Sequence, residues 1–329
     1  MEWIDTHTHI YEPAEGQDDA DTCVRRALDA GVCKQILGGV DLSTIRPIRK
    51  ICERYPGQLY PTVGLHPTEV KEDYVSVLDK VYSELSAWNA VAMPVPPQSR
   101  PVRGSAAVQH GSQSGSAQFA DVAVAEALSG SASTADAPAS VLSPSSAPQA
   151  SAEGISSGAF RYVAVGEIGM DLYWDKAYAR QQEDAFRIQL EWARSLDLPV
   201  VLHVRNAFEE AWHVLSKAQD GRLKGVFHCY SGSLEQSRRV LDLGFLFGIG
   251  GVLTFKNAKL PEIVRQLPLE SLLLETDAPY LAPVPYRGKP NEGAYIPLIG
   301  RKLAECLDLP VSTVAEATTA NALRLFRLS

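Results

Sequence analysis

Short apolar segments alternate with longer amphipathic ones along most of this chain, and this alternation restricts its fold more than any other feature. The apolar segments are rich in Val, Ile and Leu, which is typical of parallel strands buried on both faces. Such strands alternating with helices indicate βαβ units. The eight predicted strands are Trp3–His7, Lys34–Leu37, Leu59–Leu65, Tyr162–Gly166, Pro199–His203, Gly225–His228, Phe245–Ile249 and Ser271–Thr276.

The segments between these strands carry apolar residues at helical spacing. Eight strand–helix repeats fit a closed α/β barrel of the TIM type, (β/α)8, better than an open doubly wound sheet, which usually has fewer strands. The predicted helices are Ala20–Ala30, Thr44–Tyr55, Val75–Trp88, Tyr178–Leu196, Ala207–Ala218, Leu234–Leu243, Pro261–Leu267 and Ala294–Leu307, with a ninth at Ser312–Phe326.

One segment, residues 90–159, interrupts this pattern between helix 3 and strand 4. Ser and Ala supply 32 of its 70 residues, seven prolines are scattered through it, and Phe119 is its only aromatic residue. Such a composition buries too little apolar surface to offset the entropy of ordering, so we expect a disordered insertion. The other 259 residues match the roughly 250 of a typical barrel. We therefore predict one domain over residues 1–329, with this low-complexity insertion inside it.

Composition and charge exclude several classes of protein. No apolar run is long enough to cross a bilayer, and the N-terminal residues do not resemble a signal peptide. The five cysteines form no CxxC pair, which favours free thiols and a cytoplasmic location. The formal net charge of −8 argues against a broad basic surface for nucleic acid. An enzyme of this charge that acts on DNA is expected to work on ends or single strands.

Metal-binding side chains follow the predicted strands at the end where barrels of this type carry their active sites. Alone, each is as compatible with an ordinary core histidine or a salt bridge as with a metal ligand. Together, four imidazoles and two carboxylates at the ends of five strands are enough to hold two divalent ions, with a carboxylate shared between them. The six residues are His7, His9, Glu167, His203, His228 and Asp277.

This ligand set indicates a metal-dependent hydrolase. Two ions about 3.5–4 Å apart can generate hydroxide near neutral pH and hold both oxygens of an in-line displacement at phosphorus. We expect Asp277 to accept the proton of the attacking water and Glu167 to take part in catalysis with it, and either of the two can be the shared carboxylate. Mixed His and carboxylate ligands suit Zn²⁺ or Mn²⁺, and Mg²⁺ remains open.

Three further residues are candidates for substrate contact. His66 follows the third predicted strand, Arg205 lies two residues after His203, and Tyr230 lies in the loop after His228. An arginine at this position can stabilise charge on a phosphoryl group. Structural salt bridges or loop hydrogen bonds are the competing interpretations for these residues.

Six ordered motifs resemble those of the TatD family of metal-dependent deoxyribonucleases, within the amidohydrolase superfamily. They are IDTHTH at 4–9, VGLHP at 63–67, VGEIGMD at 165–171, PVVLHVR at 199–205, FHCYSG at 227–232 and LETDAPYL at 274–281, followed by PYRGKPNE at 285–292. The resemblance covers nearly the whole chain outside the insertion. It implies a TIM-type barrel, metal ligation by the six residues named above, and hydrolysis of ester bonds in DNA.

The leading hypothesis is therefore a divalent-metal-dependent DNase, most simply an exonuclease that trims DNA ends. One alternative is an amidohydrolase-type hydrolase of another small ester, an amide or a lactone, because the same site can activate water against each of them. Another is a metal-binding scaffold whose insertion recruits a protein partner of unknown identity.

Overall fold

The computed structural model describes residues 1–92 and 160–328. Residues 93–159, which contain nearly all of the predicted insertion, lie outside the described residues, so its disorder remains a prediction. No helix in the two described ranges is long and apolar enough to cross a membrane.

Eight parallel strands, each paired with its neighbours in chain order, form the nearly closed barrel predicted from the sequence. Hydrogen bonds join the first strand to the last strand and to the residues just after it: Thr6 Oγ1 donates to the Leu274 carbonyl at 3.0 Å, and the Asp277 N–H donates to the His7 carbonyl at 2.9 Å. The strands are β1 Trp3–Thr8, β2 Val32–Leu37, β3 Leu59–Val63, β4 Ala164–Asp171, β5 Val200–Arg205, β6 Gly225–Phe227, β7 Leu246–Ile249 and β8 Leu272–Leu274.

The nine predicted helices are all present, with ends moved by a few residues. Two of them begin at capping boxes, in which the side chains of Asp41 and Ser233 accept backbone N–H groups of the first turn. The helices are α1 Ala20–Asp29, α2 Leu42–Cys52, α3 Tyr74–Ala92, α4 Ala179–Leu196, α5 Phe208–Ala218, α6 Leu234–Asp242, α7 Leu260–Val264, α8 Ile296–Leu307 and α9 Val311–Phe326.

Helix α9 packs against the amino-terminal end of the barrel. Leu325 and Phe326 form one buried cluster with Ile4, Val201 and Leu273, which come from three different strands. Burying side chains of this size stabilises the fold by about 1.5–3 kcal/mol each. The amino-terminal end is therefore filled with apolar side chains, and the polar residues gather at the carboxyl-terminal end.

Strand β4 is longer than predicted. The sequence indicates an end at Gly166, but pairing with β5 resumes after a register shift between Val165 and Ile168 and continues to Asp171 opposite Arg205. Hydrogen bonds to β5 keep this polar stretch extended. Glu167 therefore lies within the strand instead of after it, and Asp171 is a second carboxylate held by the same strand.

Candidate metal centre

A cleft of about 710 Å³ opens at the carboxyl-terminal ends of the strands. His9, Glu167, His203, His228 and Asp277 line it. The remaining predicted ligand, His7, is only 1% exposed and contacts the same group. The structure thus brings all six predicted metal-binding residues into one cluster.

The Glu167 carboxylate lies at the middle of this cluster. Its Oε2 atom is 3.2 Å from His7 Nε2 and 3.5 Å from His9 Nε2. Its Oε1 atom is 2.9 Å from both His203 Nδ1 and His228 Nε2. The two oxygens therefore face different imidazoles, an arrangement that suits a carboxylate shared by two ions.

Asp277 lies on one side of the cluster. Its Oδ1 atom is 3.8 Å from His7 Nε2 and 3.7 Å from His9 Nε2. The residue has a φ of 58°, which is uncommon for a residue other than glycine and requires support from its surroundings. The hydrogen bond from its N–H to the His7 carbonyl, described above, supplies part of that support.

Charge is concentrated in this buried cluster. Burial raises the pKa of Glu167, but its electrostatic interactions with His228, His66 and His7 outweigh burial, so the pKa lies well below its ordinary value. Burial lowers the pKa of His228, but Glu167 and Glu275 reverse this and hold it well above its ordinary value. Burial keeps the pKa of His7 near 3. A buried carboxylate surrounded by imidazoles is a donor set that fits a divalent cation.

Two of the imidazoles are oriented by residues outside the cluster. Asp171 Oδ2 lies 2.9 Å from His203 Nε2, so a metal bound at Nδ1 leaves the ring proton where Asp171 accepts it. His9 Nδ1 lies 3.1 Å from the Tyr11 hydroxyl, which itself donates to the Gly38 carbonyl at 2.6 Å. The Tyr11 oxygen therefore accepts from His9 Nδ1–H, which leaves Nε2, on the side of Glu167, as the nitrogen available to an ion.

In His66 the nitrogen that faces the cluster carries the ring proton, unlike the metal-facing nitrogens of His9 and His203. The Thr68 N–H donates to His66 Nδ1 at 3.2 Å, so the proton of the neutral ring is on Nε2. That Nε2–H lies 3.4 Å from Glu167 Oε1. Burial lowers the pKa of His66, which favours the neutral ring. His66, Glu167 and His203 are close enough to hold an ion, but the hydrogen bond from Thr68 makes His66 a donor towards the cleft.

Two buried carboxylates that the sequence analysis missed lie behind the cluster. Glu275 Oε1 accepts the Cys229 N–H at 2.5 Å and lies 3.4 Å from His228 Nδ1. Asp5 accepts the N–H and the hydroxyl of Thr276, and burial raises its pKa to about 7 despite these bonds. Their positions in the sequence could have indicated them, because each lies two residues before a predicted ligand in a predicted apolar strand.

The predicted substrate contacts fall in different places. His66 and Arg205 line the cleft. Tyr230 does not: it is 5% exposed, its hydroxyl donates to the Ser233 carbonyl at 2.9 Å, and its ring packs on Phe247. The structure thus gives Tyr230 a place in the core beside the site.

Comparison with known proteins agrees with these observations. The profile of the family described as TatD related DNase matches residues 4–94 and 144–327. The uncharacterized metal-dependent hydrolase YabD of Bacillus subtilis is 39% identical over 170 residues, which cover 51% of this chain and 67% of that protein. The uncharacterized metal-dependent hydrolase TatD of Mycobacterium tuberculosis is 29% identical, with 99% and 98% covered. The crystal structure of YjjV, a TatD homolog of Escherichia coli, superposes with a TM-score of 0.73 at 26% identity, covering 99% of this chain and 98% of that one.

Proposed function

This chain belongs to the TatD-related DNase family of metal-dependent hydrolases, and from that premise we propose that it cleaves phosphodiester bonds of DNA with the help of two divalent ions. The observation that carries the proposal is the division of Glu167 between two pairs of imidazoles, at 3.2–3.5 Å on one oxygen and 2.9 Å on the other. One carboxylate between two such sets is suited to a binuclear centre.

We assign His7, His9 and Asp277 to one ion and His203 and His228 to the other, with Glu167 shared. Zn²⁺, Mn²⁺ and Mg²⁺ are the candidate metals, and the imidazole-rich set favours the first two. When bound, such ions lower the pKa of water and offset the charge that develops on the phosphate.

Asp277 is the group that moves protons in this proposal. In the metal-free protein, burial raises its pKa to about 6, although the charges of His228 and His9 lower it. A carboxylate placed beside the attacking water can accept its proton and return one to the leaving oxygen. Its Oδ1 atom faces His7 and His9 from the cleft side of the cluster.

Two cleft residues suit the negative oxygens of the substrate. The Nε2–H of His66 lies 3.4 Å from Glu167 Oε1, where it can donate to a phosphate that binds next to this carboxylate. The Arg205 guanidinium provides positive charge in the same cleft. Neither residue needs to touch a metal ion to perform this task.

Metal-stripped protein should be incubated with end-labelled single-stranded and double-stranded DNA, and Mg²⁺, Mn²⁺ and Zn²⁺ added back separately. We expect cleavage from the ends with at least one metal, and loss of cleavage in Glu167→Gln and Asp277→Asn. Turnover of a small ester or lactone without DNA cleavage would instead favour the amidohydrolase alternative. Metal binding with no hydrolysis of any of these compounds would favour the scaffold.

A further inference from the structure

Two large aromatic side chains stand in solvent at the mouth of the cleft. Trp174 is 70% exposed and Tyr280 is 61% exposed, and both line the cleft that holds the candidate metal centre. Each lies three residues after a carboxylate of the site, Asp171 in one case and Asp277 in the other. Exposed indole and phenol rings beside a polar site are suited to stack on a flat ligand.

The loop that carries Trp174 is bonded to the candidate centre. The N–H groups of Tyr173 and Trp174 donate to Asp171 Oδ1 at 2.9 and 3.4 Å. The other oxygen of the same carboxylate contacts His203 Nε2. Asp171 therefore ties the backbone of the loop that carries the indole to His203 of the candidate centre.

Arg205 lies next to these aromatic residues at the mouth of the cleft. Its guanidinium lies 3.9 Å from the centre of the Tyr173 ring and 5.3 Å from that of Trp174. Among the described residues that line the cleft, Arg205 is the only lysine or arginine, whereas Glu12 and Glu69 add negative charge. Ion pairing with a DNA backbone is therefore limited to about one phosphate outside the metal centre.

We propose that Trp174 and Arg205 form a nucleotide subsite, in which the indole stacks on an unpaired base next to the scissile phosphate and the guanidinium contacts the adjoining phosphate. This inference rests on the proposed function and names the substrate feature that the cleft selects. A base in a duplex has its faces covered by its neighbours, so stacking on Trp174 requires a frayed or single-stranded end. Stacking is also independent of base identity, because every base has a π-face.

The test compares two octadeoxynucleotides, one of normal sequence and one with abasic residues at the cleaved end. With metal-reconstituted full-length protein we expect Trp174→Ala to lower kcat/KM on the normal strand by about tenfold to a hundredfold, mainly through KM. On the abasic strand the change should be less than about threefold, because no base remains to stack. Trp174→Phe should restore most of the preference for the normal strand.

Trp212 provides a matched control, because Arg239 stacks on its ring at 4.4 Å but the pair does not line the cleft. Trp212→Ala should keep the ratio between the two strands. Binding is measured separately by fluorescence anisotropy of the labelled strands in EDTA, so the subsite is tested even if wild-type protein fails to cleave DNA, which would refute the proposed function alone. Equal affinity of wild type for both strands, or an equal loss on both in Trp174→Ala, would overturn the subsite.

Discussion

Asp171 Oδ2 lies 2.9 Å from His203 Nε2, on the opposite side of the imidazole from Glu167, which contacts Nδ1 at the same distance. The ring is thereby held between two carboxylates, one inside the candidate metal centre and one behind it. Contacts of this kind set the tautomer and orientation of a metal-binding histidine.

We expect Asp171→Ala to weaken metal binding by about tenfold to a hundredfold, because His203 loses its orienting partner. Asp171→Asn keeps an oxygen that can accept the Nε2–H, so its loss should be smaller. Isothermal titration with Mn²⁺ measures both affinities. Asp175→Asn, which alters an exposed carboxylate four residues away, is the control. Equal affinity in wild type and Asp171→Ala would contradict the orienting role.

His66 and His203 should separate substrate contact from metal ligation. His66→Ala removes an N–H donor and should lower kcat by about a hundredfold to a thousandfold while metal content stays unchanged. His66→Gln retains an amide donor and should recover part of that loss. His203→Ala should lose metal as well as activity. Elemental analysis of metal content, together with kcat, distinguishes substrate contact from metal ligation. Loss of metal in His66→Ala would show that His66 is a ligand.

Gly248 leaves the space that the Glu275 carboxylate occupies, since a Cβ at this position would overlap Glu275 Oε2. Gly248→Ala should therefore destabilise the fold by about 1–3 kcal/mol and weaken metal binding through His228. At Gly250 a Cβ would meet nothing closer than 3.7 Å. Gly250→Ala should leave stability unchanged or raise it by about 0.4–1 kcal/mol. Urea unfolding gives the free energy of unfolding of both variants. Similar free energies would contradict a steric overlap between a Cβ at position 248 and the Glu275 carboxylate.

Metal binding should strengthen as pH rises. In the metal-free protein, burial lowers the pKa of His9, His203 and His228, but neighbouring carboxylates raise each above its ordinary value. The stability that these protons confer is complete below the unfolded pKa of about 6.5 and is lost as pH rises through the folded pKa. A bound ion requires rings without that proton.

The increase in Tm that Mn²⁺ produces should therefore grow from about pH 6 to about pH 9, with about one or more protons released per protein. Calorimetry in buffers of different ionisation enthalpy counts those protons. A Tm increase that is constant or falls over this range would show that the histidines are not protonated before binding.

The segment between α3 and β4 should be dispensable for the chemistry. Helix-to-strand connections of a barrel lie at the face opposite the active site. We propose that residues 90–159 are an insertion within one domain. Replacing residues 94–157 by a short Gly/Ser linker keeps Trp88 and Phe160, whose rings contact at 5.3 Å. Tm should change by less than about 4 °C, or about 1 kcal/mol. Loss of metal binding in the shortened protein would show that the segment supports the site.

The strands were predictable because parallel strands buried on both faces leave continuous apolar runs. The end of β4 was not, because Ile168 to Asp171 is polar in part and includes Gly169, whose φ is 140°. Only the ladder to β5 keeps this stretch extended, and a pairing with residues more than 30 positions away leaves no trace in local composition.

The candidate site likewise has residues that the sequence indicates and residues that it does not. No single imidazole or carboxylate after a buried strand indicates metal binding, but six of them at the ends of five strands do. The sequence could therefore predict that these six side chains lie together, while metal ligation by them stays a prediction. Asp171, Glu275 and Tyr11 act through another side chain, and their importance depends on distances that no spacing reveals. The direction of Tyr230 was also hidden, because Cys229 has a φ of 46° and the chain turns there towards Phe247.

The hydrogen bonds between β1 and β8 also determine when this protein can become active during its synthesis. Asp5 and Thr276, which bond across that junction, are 271 residues apart, so a ribosome adding 5–20 residues per second needs on the order of tens of seconds between them. Until then His7 and His9 are without Asp277. If the proposed function holds, a nascent chain has an incomplete centre for most of its synthesis, and hydrolysis requires the last strand to join the first.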